Sequence, residues 1–401
     1  MKRAHGLLAF VIVLFVCSLN PGSVSANQFA SLPKPDWTFS VPEEHTYMSN
    51  SNVRITDTTY NYLSMDNQMY ILNKKTGKLM SSTSYTAGTN LSFSFFGTYA
   101  QVDQNGIVYI LTPIKNAAGV VKQRLRAYHP DGHVLWDKYF NEKIRSLSGV
   151  SLMPDGNLFV YLETASDRVI SYRYTPKGEF LGKNIWNASI YYGFVDGYLQ
   201  TINRTSKTSS RMTYYDSKLK EQFRYNFDFK EGVFAGLGYD GYLYLEKNLG
   251  NNVTSFTAKT KEGKVVWTKK ISNLIYREGQ NNSERVSKDV FSFGFTGILS
   301  NGNFIFIDRK GVMQTVKASA KSYQTASDGT VMLVEDSKVS IYQASKSATT
   351  KLKLLYTMNT SEIDGSPFSF VYEGGGILYY MNDSSQITRY VLNKSPVQTL
   401  K

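Results

Sequence analysis

A unit of about 45 residues recurs along the chain. Asp-Gly turns stand just ahead of alternating apolar strands, and the composition is rich in aromatics but poor in proline. Together these observations predict an all-β fold closed into a single β-propeller of eight blades, with seven as the alternative. The 401 residues hold 29 Tyr and 23 Phe against 10 Pro; aromatic side chains suit a pleated, half-buried surface. No stretch keeps a helical period over two turns. With 42% hydrophobic and 19% charged residues, a mainly disordered chain is excluded.

The first element is not part of the fold. Lys2 and Arg3 precede a short apolar run from Leu7 to Leu19, and Val24-Ser25-Ala26 supplies small residues at the cleavage positions. This pattern predicts a secretory signal peptide over residues 1–26, cut between Ala26 and Asn27, leaving 27–401 as one propeller domain. The run is shorter than the ~20 residues that a membrane span needs. Cys17 is the sole cysteine, and Leu14-Phe15-Val16 lacks the small residue that a lipoprotein signal places before its cysteine. Beyond residue 26 there is no thiol to form a disulfide, ligate a metal or act as a nucleophile. No other apolar run reaches membrane length, so a soluble protein, secreted or at the cell surface, is expected.

Asp36-Trp37-Thr38-Phe39-Ser40-Val41 has the pattern of an outer blade strand with no blade before it. Its expected place is beside Ile387 to Leu392, closing the last blade and removing two sheet edges; Val397 to Leu400 is the competing closing strand. The first copy runs from Tyr60 through Met69-Tyr70-Ile71-Leu72 into Thr76-Gly77-Lys78. The next starts at Gly106 and passes through Pro130-Asp131-Gly132 to Val134-Leu135-Trp136. Further copies start at Gly156, Gly197, Gly241, Gly302, Gly329 and Gly376, that at Gly241 ending in Val265-Val266-Trp267. The turns Asp155-Gly156, Asp196-Gly197, Asp240-Gly241, Asn301-Gly302 and Asp328-Gly329 are dipeptides that tolerate positive φ. A long interval before Gly302 and a short one after it predict an insertion, Ser272 to Asp289, beside a shortened blade. If the Gly302 hairpin belongs to a neighbour, seven blades result.

The run Tyr70-Ile71-Leu72-Asn73-Lys74-Lys75-Thr76-Gly77-Lys78-Leu79, with Trp136 and Trp267, resembles the repeat of the pyrroloquinoline-quinone-like (PQQ-like) β-propeller family. There a Tyr-x-Leu-x strand leads into a Thr-Gly-Lys turn, an apolar pair and a tryptophan. The resemblance spans about residues 37–400, with two or three repeats matching well. It implies a fold shared by quinone-dependent dehydrogenases and by non-catalytic propellers, including scaffolding subunits of outer-membrane assembly machinery. The dehydrogenases are longer and hold their quinone with a metal ion, an Asp and an adjacent cysteine pair. Beyond residue 26 this chain has no cysteine, and no acidic cluster matches theirs residue by residue, so the resemblance implies the non-catalytic exported branch and no cofactor.

Formal charge is +13, or +11 without Lys2 and Arg3. Residues 27–200 carry 16 Lys/Arg against 14 Asp/Glu, and residues 201–401 carry 27 against 18, so the excess is +2 and +9. A basic exported protein meets anionic wall polymers, lipid headgroups or acidic polysaccharides rather than nucleic acid. Solubility alone is the competing use of this charge.

No G-x-S-x-G elbow, phosphate loop, EF-hand or H-E-x-x-H motif occurs, and no catalytic residue is assigned. Glu43-Glu44 and Glu335-Asp336 are adjacent on the chain and would point to opposite faces of a strand. His129-Pro130-Asp131-Gly132-His133 could gather two imidazoles and a carboxylate across a hairpin. Its Pro-Asp-Gly is, however, the ordinary inter-strand turn, and no metal is assigned. The aromatic runs Phe93-Ser94-Phe95-Phe96 and Phe291 to Phe295, and Trp136, Trp186 and Trp267, are expected to pack blade against blade. N-x-[ST] matches such as Asn203-Arg204-Thr205 arise by chance in a chain this rich in Asn, Ser and Thr.

The resulting expectation is an exported, monomeric, non-catalytic propeller that binds or scaffolds at the cell envelope or outside the cell. Its partner would be an anionic wall polymer or a protein. The contact surface would be the basic sector formed by Arg204, Lys207, Arg211, Lys247, Arg277, Arg285 and Lys288. An enzyme acting on carbohydrate or wall polymer, with residues converging from several blades, is one alternative. A scaffold subunit of a membrane-associated complex is the other.

Overall fold

The apolar strands of the repeat carry hydrophobic side chains at both parities, so each has two faces to bury. A wedge of sheet held between two neighbouring wedges meets that demand. The computed structural model describes residues 27–29, 33–42, 53–63, 68–84, 100–115, 121–142, 144–164, 168–187, 189–195, 198–228, 230–237, 242–260, 262–274, 288–291, 294–326, 328–344, 352–361, 370–382 and 386–392. Blade 1 is Val53–Ile55, Thr59–Leu63, Gln68–Asn73 and Leu79–Ser84. Blade 2 is Ala100–Val102, Val108–Lys115, Val121–Tyr128 and Val134–Phe140; blade 3 is Ile144–Leu152, Leu158–Thr164, Val169–Tyr174 and Phe180–Trp186. Blade 4 is Ser189–Val195, Tyr198–Arg204, Ser209–Tyr215 and Glu221–Asp228; blade 5 is Val233–Leu237, Leu243–Asn248, Val253–Lys259 and Val265–Ser272. Blade 6 is Lys288–Phe291, Gly294–Ile298, Phe304–Asp308 and Met313–Val316; blade 7 is Ser322–Thr325, Thr330–Val334, Lys338–Gln343 and Lys353–Asn359. Blade 8 is Phe370–Gly374, Ile377–Asn382 and Gln386–Val391, completed by Trp37–Ser40.

Within each blade the strands pair antiparallel in sequence order. First strands of neighbouring blades approach one another, as in blades 2, 3 and 4, and form the inner ring. Fourth strands such as Leu79–Ser84 and Phe180–Trp186 alternate between exposed and half-buried positions and form the rim.

Among the described residues the core divides into eight clusters, each shared by two adjacent blades. In the second strand of blade 2, Val108 and Ile110 face blade 1 while Tyr109 and Leu111 face blade 3. In blade 3, Leu158, Val160 and Leu162 face blade 2, and Phe159 and Tyr161 face blade 4. The period of two thus serves two interfaces at once, which explains why these strands are apolar throughout. Tyr60, Tyr62, Tyr109, Tyr214, Tyr244 and Tyr379 are fully buried between blades, as the aromatic content led one to expect.

The eighth cluster joins the chain's end to its beginning. Trp37–Ser40 pairs antiparallel with the third strand of blade 8, Trp37 opposite Arg389 and Ser40 opposite Gln386. The Asp36 carboxylate meets the Arg389 guanidinium. Trp37 packs on Tyr60 of blade 1 and Tyr379 of blade 8 at 6.2 and 5.9 Å, and Lys74 of blade 1 bridges to Glu373 of blade 8 at 2.7 Å. This is the closure expected from the sequence; the competing strand, 397–400, lies outside the described residues. A second N-terminal piece had no signal in the sequence: Asn27–Phe29 pairs parallel with the fourth strand of blade 7 and adds a fifth strand there.

Gly156 and Gly329 have φ of +81° and +83°, as their Asp-Gly turns require. Asp196-Gly197 and Asp240-Gly241 lie outside the described residues, as does Phe93 to Phe96. The rhythm anomaly at Gly302 has a structural cause. Gly302, with φ +79°, closes the turn between the second and third strands of blade 6, whereas the second strand itself opens at Gly294. The same turn chemistry serves either strand pair, so the dipeptide does not reveal which pair it joins. Blade 6 has the short strands expected, four or five residues each. The expected insertion is narrower than its sequence limits, since Ser272 ends blade 5 and Lys288-Asp289 begin blade 6; residues 275–287 lie outside the described residues.

Candidate functional site

Because strands alternate in direction, every loop has a fixed place. The turns joining first to second and third to fourth strands lie at one end of the disc, here the turn end. The loops joining second to third strands, and the connections between blades, lie at the other, the loop end. Topology therefore gathers the expected basic residues that the structure describes. Arg204 ends the second strand of blade 4, Lys207 lies in the second–third loop that follows, and Arg211 stands just beyond that loop. Lys247 is near the corresponding loop of blade 5, and Lys288 opens blade 6. All five are at the loop end of three consecutive blades. Arg277 and Arg285 lie outside the described residues.

Arg204, Lys207 and Lys247 are exposed and Arg211 is half-buried. The Arg204 guanidinium folds over its own loop, donating to the carbonyls of Ser206 and Lys207 at 3.2 and 3.0 Å. Arg211 donates to the Asn226 side-chain oxygen at 2.9 Å. Hydrogen bonds to neutral oxygens hold both guanidinium groups in place, and among the described residues no carboxylate pairs with either, which suits the recognition of an anion.

The turn end is built differently. Trp37, Trp136 and Trp267 stand near the start of an outer strand and reach into the next blade. Each indole N–H donates to a carbonyl in the third–fourth turn there: Lys74 at 3.0 Å, Pro176 at 2.9 Å and Arg309 at 3.2 Å. Each ring lies on that turn's glycine, so closely that a Cβ on Gly77, Gly178 or Gly311 would fall 2.6, 2.9 or 2.7 Å from indole atoms. Trp186 also joins two blades, donating to Ser171 Oγ at 2.7 Å and packing edge-on against Tyr215. At the same position in blade 6, Gln314 accepts the Leu352 N–H of blade 7 at 2.7 Å.

Just before these positions, apolar pairs stand exposed on the rim: Leu79-Met80, Val134-Leu135, Phe180-Leu181, Val265-Val266 and Val312-Met313. The first four sit at bulges, where the pairing register skips one residue as the outer strand begins. A bulge sets two residues against one partner, and consecutive side chains then project outward together. Sequence reasoning found Val134-Leu135 and Val265-Val266 as part of the repeat but not their exposure, since simple alternation would have buried one of each two; the other three pairs it did not single out.

The histidine-bearing turn of blade 2 is also at the turn end. The His129 N–H donates to the His133 carbonyl at 2.9 Å, so the two residues face each other across the hairpin. Their rings stack at 4.7 Å and 22°. Asp131 Oδ1 lies 2.9 Å from His129 Nδ1 and 2.5 Å from His133 Nδ1. Accepting the His133 backbone N–H, and facing both imidazoles, lowers the Asp131 carboxyl to about 2. The sequence reading allowed this gathering across the hairpin but assigned no metal to it; the structure brings the three side chains together. His45 lies outside the described residues.

Of the two acidic pairs, the structure describes one. Glu335 and Asp336 bridge to Lys338 and Lys321 at 3.0 and 3.5 Å on the surface, and Glu43-Glu44 lies outside the described residues. Among the described residues no helix is long and apolar enough to cross a membrane.

No family model matches the sequence, and no curated protein matches it. Among solved structures the chain is similar to BamB from Moraxella catarrhalis, at 11% identity and a TM-score of 0.49, over 91% of this chain and 99% of that one. Sqt1 of Saccharomyces cerevisiae matches at 10% identity and a TM-score of 0.47, over 91% and 100%. The C-terminal WD40 domain of Sif2 matches at 10% and 0.47, over 91% and 99%. Identities this low say nothing of function.

Proposed function

We propose that this chain is an exported, non-catalytic binding or scaffold propeller of the PQQ-like repeat type, acting at the cell envelope or outside the cell. In this reading residues 1–26 are its removed signal, residues 27–401 are the propeller domain, and it works as a monomer. Its ligand is an anionic wall polymer or acidic protein, held at the loop end of blades 4 to 6. One observation carries the reading: Arg204, Lys207, Arg211, Lys247 and Lys288 share that end of three adjacent blades. The tryptophan–glycine contacts, beginning in the Thr76-Gly77-Lys78 turn, support the repeat type. Binding of this kind is screened over about 8–10 Å and weakens between low and physiological salt.

The test is envelope binding by a variant with Arg204, Lys207, Arg277, Arg285 and Lys288 changed to Gln. Loss of binding and of its salt response is expected. Because Arg204 also braces its own loop, a second variant changes Lys207 and Lys247 alone. If both fold and bind like the parent, with the same salt response, the charge serves solubility and the reading is wrong.

A second reading, a scaffold subunit of a membrane-associated complex, is favoured by the exposed apolar pairs on the rim, which suit a protein partner. Binding through them would resist salt and fail on changing Phe180 and Leu181 to Ser.

A further inference from the structure

We propose that His129, Asp131 and His133 form a site for one divalent transition-metal ion at the turn end of blade 2. The three donor atoms lie within 4.8 Å of one another. The hairpin arranges them: the His129–His133 pair closes the turn, which puts both imidazoles on one side of it, and Asp131 stands between them at its tip. Both Nδ1 atoms aim at a single carboxylate oxygen. His129 Nδ1 also lies 3.4 Å from the Asp131 backbone N–H, which keeps that ring over the turn.

The turn is held ready for this. Gly132 has φ +93°, and a Cβ there would lie 2.3 Å from Thr83 Oγ1 of blade 1. Pro130 is fixed by its own ring and lies against Gly106, where a Cβ would be 3.3 Å from Pro130 Cγ. Little ordering is then left to the ion, since rigid flanking contacts already set the geometry.

The donor set decides the ion class. Two imidazole nitrogens and one carboxylate oxygen suit Zn²⁺, Ni²⁺ or Cu²⁺, while Ca²⁺ and Mg²⁺ want shells of oxygen. Three protein ligands leave a coordination position for water or a donor from outside. The side chains of His129, Asp131 and His133 are 46%, 59% and 59% exposed, so that position opens to solution. The site is at the opposite end of the disc from the basic loops and stands independently of the anion-binding reading.

The test is calorimetric titration of the untagged, chelator-treated protein with Zn²⁺ and with Ni²⁺. One equivalent of bound metal is expected. Losing even a group that merely orients a ligand weakens a metal site by about 10–100-fold, so His129→Ala and His133→Ala should each weaken binding at least that much. Asp131→Asn keeps an oxygen for the His133 N–H and drops the charge; it should weaken binding with the near-ultraviolet circular dichroism unchanged. His45→Ala should bind like the parent. The proposal fails if the parent binds neither metal at 100-fold excess, or if the two alanine variants of the turn bind as well as the parent. It fails equally if binding follows His45 instead.

Discussion

Substituting Gly77 with alanine tests how the ring is locked shut, and Gly263 provides the control. Both glycines occupy third–fourth turns with positive φ, +67° and +84°. A Cβ at Gly263 would meet nothing within 4 Å, whereas at Gly77 it would lie 2.6 Å from Trp37. Gly263→Ala should therefore cost only the left-handed backbone, about 1–2 kcal/mol. Gly77→Ala adds overpacking of about 1–3 kcal/mol, for a total of about 2–5 kcal/mol. Trp37 has little room to yield. It is 8% exposed, donates to the Lys74 carbonyl, contacts Tyr60 edge-on and begins the strand paired with blade 8. Trp37→Ala should itself cost about 3–5 kcal/mol. In that background Gly77→Ala should cost only the backbone term, leaving a coupling of about 1–3 kcal/mol in the double-mutant cycle. Equilibrium urea unfolding followed by far-ultraviolet circular dichroism measures all four species without depending on tryptophan. Equal losses for Gly77→Ala and Gly263→Ala, or an additive cycle, would refute the reasoning.

Two further outcomes are expected. Burial raises the phenols of Tyr60, Tyr109, Tyr172, Tyr174, Tyr342, Tyr372, Tyr379 and Tyr390, with Tyr174 and Tyr372 reaching about 12. The unfolded chain ionises near ~10, so it sheds protons first, and stability that is intact below that pH should fall steadily above it. Urea midpoints equal at pH 9 and pH 11 would contradict this. Removing residues 27–42 should bare the Gln386–Val391 edge and the outer edge of blade 7, producing aggregation visible by light scattering; a truncated protein that stays monomeric with an unchanged melting temperature would show the closing strand to be dispensable.

Much of this architecture was legible because it is local. The Asp-Gly turns, the two-residue period and the outer-strand look of Asp36 to Val41 each follow from the conformational preferences of a few consecutive residues. Trp136 and Trp267 were readable as contacts between blades because the repeat places them alike. The basic sector was half legible: counting charges found the sector, and alternation of strand direction then set its residues at one end of the disc. The Gly302 turn was misplaced because its local chemistry is the same for any strand pair it closes. The outward apolar pairs were missed because a bulge depends on register with the partner strand.

By itself, then, the sequence determined an all-β chain, its repeat, its positive-φ turns and a candidate strand, Trp37 to Val41, to close the ring. These rest on backbone preference and on hydrophobic period, which act within a few residues. The tertiary structure alone decided that Trp37 lies on Gly77, that Asn27–Phe29 joins blade 7, and that His129 and His133 aim at one carboxylate oxygen. Each depends on a distance between groups whose separation along the chain does not set it, and only packing and pairing fix such distances.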